Sequence, residues 1–351
     1  MGLLSLGYNP KLLQVAQVIF NEEMETCQKH GIILEEKQKE TIFEGTIHHI
    51  ISLRVAITMD ENKIYQFYVD WVYTLLHNHV PELPVEVKRM YLLRHYSIML
   101  EKISLILNEE DIPKGTELLQ FAIEKTQSPN ALPEKIDYIN NSEYAKIKKD
   151  LLDNLLNKDL VSANILINNI NDAVGIVELY TEVIQPVLKE VGELWLQNEI
   201  SVAQEHYCSS FIQSVMLQFY EVLFENPRKE YKVVVACPEG ELHNIGARMI
   251  SDLFEYNGWN SIFLGAAVPS VDIIRTLQEE QPQVCSLSVC MPEGLPTCCK
   301  VAKEIKEKYP QIIVAVGGRA FEQVENPLAK TGADIFSSNF EELYEKVQNF
   351  G

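Results

Sequence analysis

The run Lys232-Val233-Val234-Val235-Ala236, followed one short loop later by Glu241-Leu242-His243-Asn244-Ile245-Gly246, decides the fold of this chain. Consecutive apolar residues, most of them β-branched, describe a strand buried on both faces, as in the middle of a parallel sheet. Similar runs recur at residues 261–264, 284–289, 312–316 and 334–336, with amphipathic helical patterns between them. This alternation predicts a doubly wound five-stranded parallel sheet, Rossmann-like or flavodoxin-like, over residues 231–351. Such sheets take ligands in the crevice beyond the carboxyl ends of their strands, and residues 241–246 fall in the first of those loops.

Upstream of the polar stretch 226–230 the texture is helical. Residues 142–226 place Leu151, Leu152, Leu155 and Leu156 on one face and Ile184, Val187 and Val191 on another, which predicts a small four-helix bundle. Its last helix begins at Ser201, because Ser201-Val202-Ala203-Gln204 fits a capping box. Residues 126–141, with Ser128, Pro129, Asn130 and Pro133, read as a linker. Residues 1–125 repeat apolar positions at three- and four-residue intervals, with breaks at Gly31, Asp60, Pro81 to Pro84 and Pro113, so about five helices form an all-helical first domain.

With 351 residues, 46% of them hydrophobic, the chain has enough apolar material for several packed cores. Asp and Glu outnumber Lys and Arg by 50 to 30, and a formal charge of -20 opposes direct binding to nucleic acid. No apolar stretch approaches the length of a membrane span and no secretory signal opens the sequence, so a cytoplasmic protein is expected. The seven cysteines include no Cys-x-x-Cys spacing and read as reduced core thiols. Nor is there a Walker loop, a catalytic triad or a pair of carboxylates in a plausible cleft, so no independent enzymatic activity is expected.

The chemistry points to His243. A neutral imidazole gives one nitrogen to a metal while a carboxylate holds its other N–H, and Glu241 stands in position to do so. Gly246, lacking a Cβ, lets the backbone approach a bulky ligand. From these residues alone, a solvated loop histidine is the competing reading. Residues 232–350 resemble the cobalamin-binding domain family, whose signature is an acid, one residue, His, two residues and Gly after the first strand, a Ser in the third strand, and a Gly-Gly pair after the fourth. Here these are Glu241, His243, Gly246, Ser288, Gly317 and Gly318. The resemblance implies that His243 ligates cobalt from below, while the cobalamin's nucleotide tail enters a slot beside the sheet, bonded by Ser288, with Gly317 and Gly318 leaving room. Two positions depart from the usual pattern: Glu241 replaces Asp, and Cys290 replaces Leu or Thr.

Within the bundle, Trp195 precedes Glu205-His206 by a spacing that resembles cobalamin photoreceptors of the CarH and LitR type. The resemblance implies adenosylcobalamin as cofactor, with Trp195, Glu205 and His206 lining its upper face. It also implies light-driven cobalt–carbon cleavage with loss of the adenosyl group, and a signal carried as altered packing or assembly. The better-known members have a His directly after the Trp, whereas this chain has Leu196. The same layout fits a corrinoid carrier of a methyltransferase system, which is the alternative function.

Residues 1–125 lack a basic DNA-binding pattern. They look distantly like the globin-related sensory domain of RsbR-type regulators, and the expected partner is a second copy of the chain or a signalling protein. Tyr65, Phe67, Tyr68, Trp71 and Tyr73, with Arg94, His95 and Tyr96, read first as a helical core. The alternative is a flat pocket for biliverdin or another linear tetrapyrrole, as in a photocobilin, with Arg94 pairing its propionates. Cys27 is the one thiol there, so such a bilin would be held without a covalent bond.

Overall fold

In the computed structural model, which describes residues 9–29, 33–128, 135–140 and 143–349, β1 (Lys232–Pro238) is buried along nearly its whole length. It lies inside a five-stranded sheet with β2 (Asn260–Val268), β3 (Val284–Ser288), β4 (Ile313–Gly317) and β5 (Ile335–Phe336). The spatial order is β2-β1-β3-β4-β5, and neighbouring strands pair in parallel. This is the flavodoxin-like variant of the predicted doubly wound sheet.

Strand ends differ from the sequence expectation for local reasons. β2 runs past Leu264 to Val268 because Gly265 and Ala267 take positive φ values of 87° and 52°, which lets the strand bulge and continue. β5 does not begin at Asp334. The Asp334 carboxylate instead accepts the Val314 backbone N–H at 2.8 Å and pairs with Lys306 at 2.8 Å.

The chain divides into two compact units, near residue 133. The break expected at Gly31, and the linker residues Pro129, Asn130, Pro133 and Asn141, lie outside the described residues. The first unit holds five long helices: α1 (Pro10–Lys29), α2 (Glu36–Met59), α3 (Asn62–His79), α4 (Val85–Glu101) and α5 (Ile112–Gln127). Asp60, at φ 51°, closes α2 in the left-handed region. Pro113 opens α5 instead of breaking a helix, because in the first turn its missing N–H has no intrahelical partner to lose.

In the second unit the bundle comprises α6 (Ala145–Leu156), α7 (Leu160–Val174), α8 (Gln185–Leu196) and α9 (Val202–Met216). A π-helical turn at Leu179–Ile184 leads into α8, and a short turn at Tyr220–Leu223 leads out toward the sheet. Ser201 and Gln204 form the expected capping box at the start of α9. The remaining long helices are α10 (Ile245–Tyr256), α11 (Ser270–Glu280), α12 (Leu295–Lys308) and α13 (Phe340–Asn349).

Bundle and sheet share one apolar core. Leu151, Ile167, Val187 and Ile212 belong to the same buried cluster as Val233, Val235, Cys237, Val284 and Ala315 on one sheet face, together with Leu253 of α10 and Leu343 of α13. Residues 135–140 belong to this unit as well: the Tyr138 N–H donates to Glu190 at 3.2 Å, and Lys148 donates to the Tyr138 carbonyl at 2.8 Å. Among the described residues no helix is long and apolar enough to cross a membrane.

Candidate functional site

The crevice at the carboxyl ends of β1, β3 and β4 is organised around Glu241. The side chain is fully buried, and all its partners are donors. One oxygen accepts the His243 backbone N–H at 2.7 Å and the His243 Nδ1 at 2.8 Å. The other accepts the Cys290 and Met291 backbone N–H groups at 2.6 and 2.8 Å. Burial pushes the Glu241 carboxyl up, but the bonds from the His243 ring and the Met291 and His243 amides outweigh it and hold its pKa below the ordinary value. Glu241 is therefore an ionised acceptor, Nδ1 is the donor, and the lone pair of neutral His243 sits on Nε2. The ring is 60% exposed, with that nitrogen available to a ligand.

The hydrogen bond to Glu241 raises the His243 pKa against the effect of partial burial, and the charge of Glu205 in the bundle adds to the rise. Glu205 is itself fixed, accepting the Ser209 hydroxyl at 2.7 Å and bonding the His206 ring. His206 is 74% exposed. Trp195, at the end of α8, is half-buried against the shared core, and half-buried Leu196 follows it.

The glycines play distinct parts. A Cβ at Gly246 would meet nothing within 4 Å, so the first turn of α10 is open on that side. At Gly317 a Cβ would lie 2.5 Å from the Ser337 carbonyl oxygen, and at Gly318, where φ is 102°, 2.3 Å from that of Val289. The pair is thus required first by close backbone approach, whatever binds beside it. Val289 donates to the Gly317 carbonyl at 2.9 Å, one residue before Cys290 donates to Glu241. Backbone bonds therefore tie three crevice loops into one frame. Ser288 pairs in register with Gly317 and is half-buried. By strand alternation Ser286 shares its face, the one covered by α10 and α13.

Sequence reasoning passed over Ser286, the Cys290 and Met291 amides, and Ala267. Ser286 was detectable as the i−2 neighbour of Ser288. Backbone amides have no sequence signature. Ala267, in the left-handed region, donates its N–H to the Glu241 carbonyl at 2.8 Å, so an unusual backbone conformation adjoins the site.

The donor chemistry fits a corrinoid. Among the described residues no group of three His, Cys, Asp or Glu side chains is placed to hold a bare metal ion, whereas a cobalt that arrives in its own macrocycle needs one protein nitrogen. His243 Nε2 is such a nitrogen.

In the first unit, Tyr65, His95 and Tyr96 lie in the helical interior and Arg94 lines a cavity with Glu22, Glu25 and Lys102. Tyr65 and Tyr96 are wholly buried, and the His95 ring lies 4.3 Å from that of His49 and bonds Glu23 through Nδ1. Arg94 is turned to Glu22 and Glu101 at 3.4 and 3.2 Å, its guanidinium already paired with carboxylates. The Tyr65 and Tyr96 hydroxyls and His95 Nε2 are buried there without a hydrogen-bond partner among the described residues, so apolar packing alone does not account for the cluster.

The family profile described as a B12 binding domain matches residues 231–347, and a second profile of that description matches residues 147–218. Sheet and bundle are thus B12-binding domains, and the cofactor class is cobalamin. Among curated proteins, the chain is similar to the HTH-type transcriptional repressor CarA of Myxococcus xanthus, at 25% identity over 166 residues, 47% of this chain and 56% of CarA. It is also similar to trimethylamine corrinoid protein 1 of Methanosarcina acetivorans, at 24% identity over 178 residues, 49% of this chain and 81% of that protein. The chain thus spans little more than half the length of CarA. In fold it resembles the Methanosarcina barkeri monomethylamine corrinoid protein, with a TM-score of 0.50 at 18% identity, covering 59% of this chain and 97% of the other.

Proposed function

We propose that this chain is a cobalamin-dependent photoreceptor, a sensor whose output is a change in packing between bundle and sheet. The observation that carries the reading is geometric: buried Glu241 holds His243 through Nδ1 at the mouth of the sheet, and the bundle that carries Trp195 and the Glu205–His206 pair shares the sheet's core. In this reading, His243 serves as the lower ligand through Nε2 and Glu241 fixes its tautomer and orientation. Trp195 supplies an aromatic surface to the upper side, and Glu205 and His206 supply polar groups. Bound adenosylcobalamin supplies a cobalt–carbon bond that visible light cleaves. Leu196 has no donor atom, so an upper protein ligand in the illuminated state would fall to His206, on release from its bond to Glu205, or the position would go to water.

A bilin in the first unit is a separate part of this reading, read by biliverdin uptake of the same chain. The test is the absorption spectrum of the adenosylcobalamin-loaded chain before and after green light. A photoproduct spectrum distinct from that of free adenosylcobalamin under the same illumination is expected, and a spectrum unchanged, or changed only as that of the free cofactor, overturns the photoreceptor reading. Size-exclusion chromatography of the same two samples reads whether assembly changes.

The methyl-carrier reading draws on the match to trimethylamine corrinoid protein 1, which extends over 81% of that protein. Retention of methylcobalamin and its demethylation in the dark by a methyltransferase in a reconstituted reaction, with no change of assembly on illumination, would establish it.

A further inference from the structure

Beyond the crevice, α10 carries a second polar cluster at the seam between bundle and sheet. Arg248 and Asp252 stand one and two turns along this helix, whose first residues continue the His243 loop. Asp252, 3% exposed, accepts Arg248 Nε at 2.6 Å and the Tyr180 hydroxyl at 3.4 Å. Tyr180 is wholly buried in the π-helical turn of the bundle, a type of irregularity that recurs at functional positions in helices. Arg248 also donates to the Tyr220 hydroxyl in the turn that leaves the bundle. Its guanidinium lies 5.3 Å from the Tyr220 ring centroid and 5.4 Å from that of Phe263 on β2.

This cluster differs in kind from the apolar core around it. Apolar burial is non-directional and lets two surfaces slide, whereas hydrogen bonds to a buried carboxylate fix distance and angle. A buried carboxylate is also costly: burial raises the Asp252 pKa to about 6 even with Arg248 beside it. Glu255 on the same helix raises it further, and Arg248 and Tyr180 are the groups that lower it.

We propose that Tyr180, Asp252, Arg248 and Tyr220 form a registry latch that transmits the position of the His243 loop to the helical bundle. The proposal rests on the reading of His243 as the cobalt ligand. α10 joins the two sites as one rigid rod, so a shift of its first turn displaces Asp252 relative to Tyr180. The Tyr180 bond, at 3.4 Å the longest of the set, is the contact that such a shift tightens or breaks. These four are positioning residues, acting on the cofactor site only through α10.

Hydrogen exchange of the full chain, with and without hydroxocobalamin, tests the latch. In the wild type, loading is expected to slow exchange both in residues 239–246 and in the π-turn segment 176–184, the latter by about fivefold or more. Tyr180→Phe and Asp252→Asn, near-isosteric changes, are expected to keep the cobalamin spectrum and the slowing at 239–246 while losing most of the response at 176–184. Tyr220→Phe, at a more exposed position, serves as a third variant should either of the first two lose its far-ultraviolet circular dichroism. A segment 176–184 that responds equally in wild type and variants, or is silent in a wild type whose 239–246 loop responds, overturns the latch. A wild type that retains no hydroxocobalamin and shows no response at 239–246 overturns the cobalamin reading itself, and the latch falls with it.

Discussion

At the residue scale, Glu241 does more than hold an imidazole. Its two oxygens serve four donors, so its removal leaves the His243 ring unoriented and two backbone N–H groups of the β3 exit without their acceptor. Glu241→Ala is expected to weaken the cobalt–imidazole bond about 10- to 100-fold, as loss of a carboxylate behind a ligating histidine typically does. Electron paramagnetic resonance of the Cob(II)alamin-loaded protein, which reads a coordinated nitrogen directly, checks this. His243→Ala is expected to abolish the protein-derived nitrogen signal, and its persistence would reassign the ligand. In the first unit, burial and the neighbouring His95 hold the His49 pKa well below 6.5. A histidine kept neutral in the fold but free to protonate when unfolded contributes stability that is complete above about pH 6.5 and is lost as pH falls below it. Thermal unfolding between pH 7.5 and 5 is expected to decline less steeply in His49→Gln than in the wild type.

At the scale of elements, the frame of crevice loops depends on backbone contacts too close for side chains. Gly318→Ala places a Cβ 2.3 Å from the Val289 carbonyl oxygen at a φ of 102°. A cost of about 1–3 kcal/mol is expected from the conformation alone, with more from the clash. Because Val289 leads directly to the Cys290 amide on Glu241, the same change is expected to weaken cobalamin retention, measured by equilibrium dialysis beside the unfolding curve. Elements whose signals are local were legible in the sequence: the Ser201–Gln204 cap, the apolar strand runs and the helical periodicities. Those that depend on neighbours were not. Pro113 reads as a break until its helix is seen to start there. β2 appears short because its continuation needs left-handed turns at Gly265 and Ala267 that the flanking strand and the Glu241 carbonyl support.

At the scale of the molecule, bundle and sheet bury a common core, so a cofactor held between them stabilises both. Cobalamin bound only to the folded state is expected to add about 2.7 kcal/mol of stability at a free concentration 100 times its Kd. Denaturant titrations with and without hydroxocobalamin check this, and the gain is expected to shrink in His243→Ala at the same concentration.

The sequence by itself determined the layer architecture and the cofactor loop. A two- or 3.6-residue period, and an acid and an imidazole two residues apart, are local facts that folding keeps. It also placed Trp195, Glu205 and His206 on bundle helices. Tertiary structure decided which distant residues meet: that Glu241, after β1, takes the two amides after β3, and that Tyr180 meets Asp252 across 72 residues of chain. It also paired Arg94 with Glu22 and Glu101, which the sequence run of aromatic and basic residues does not show. The physical reason is common to all: partners separated by many residues meet only when packing of the core fixes the direction in which each side chain leaves its element.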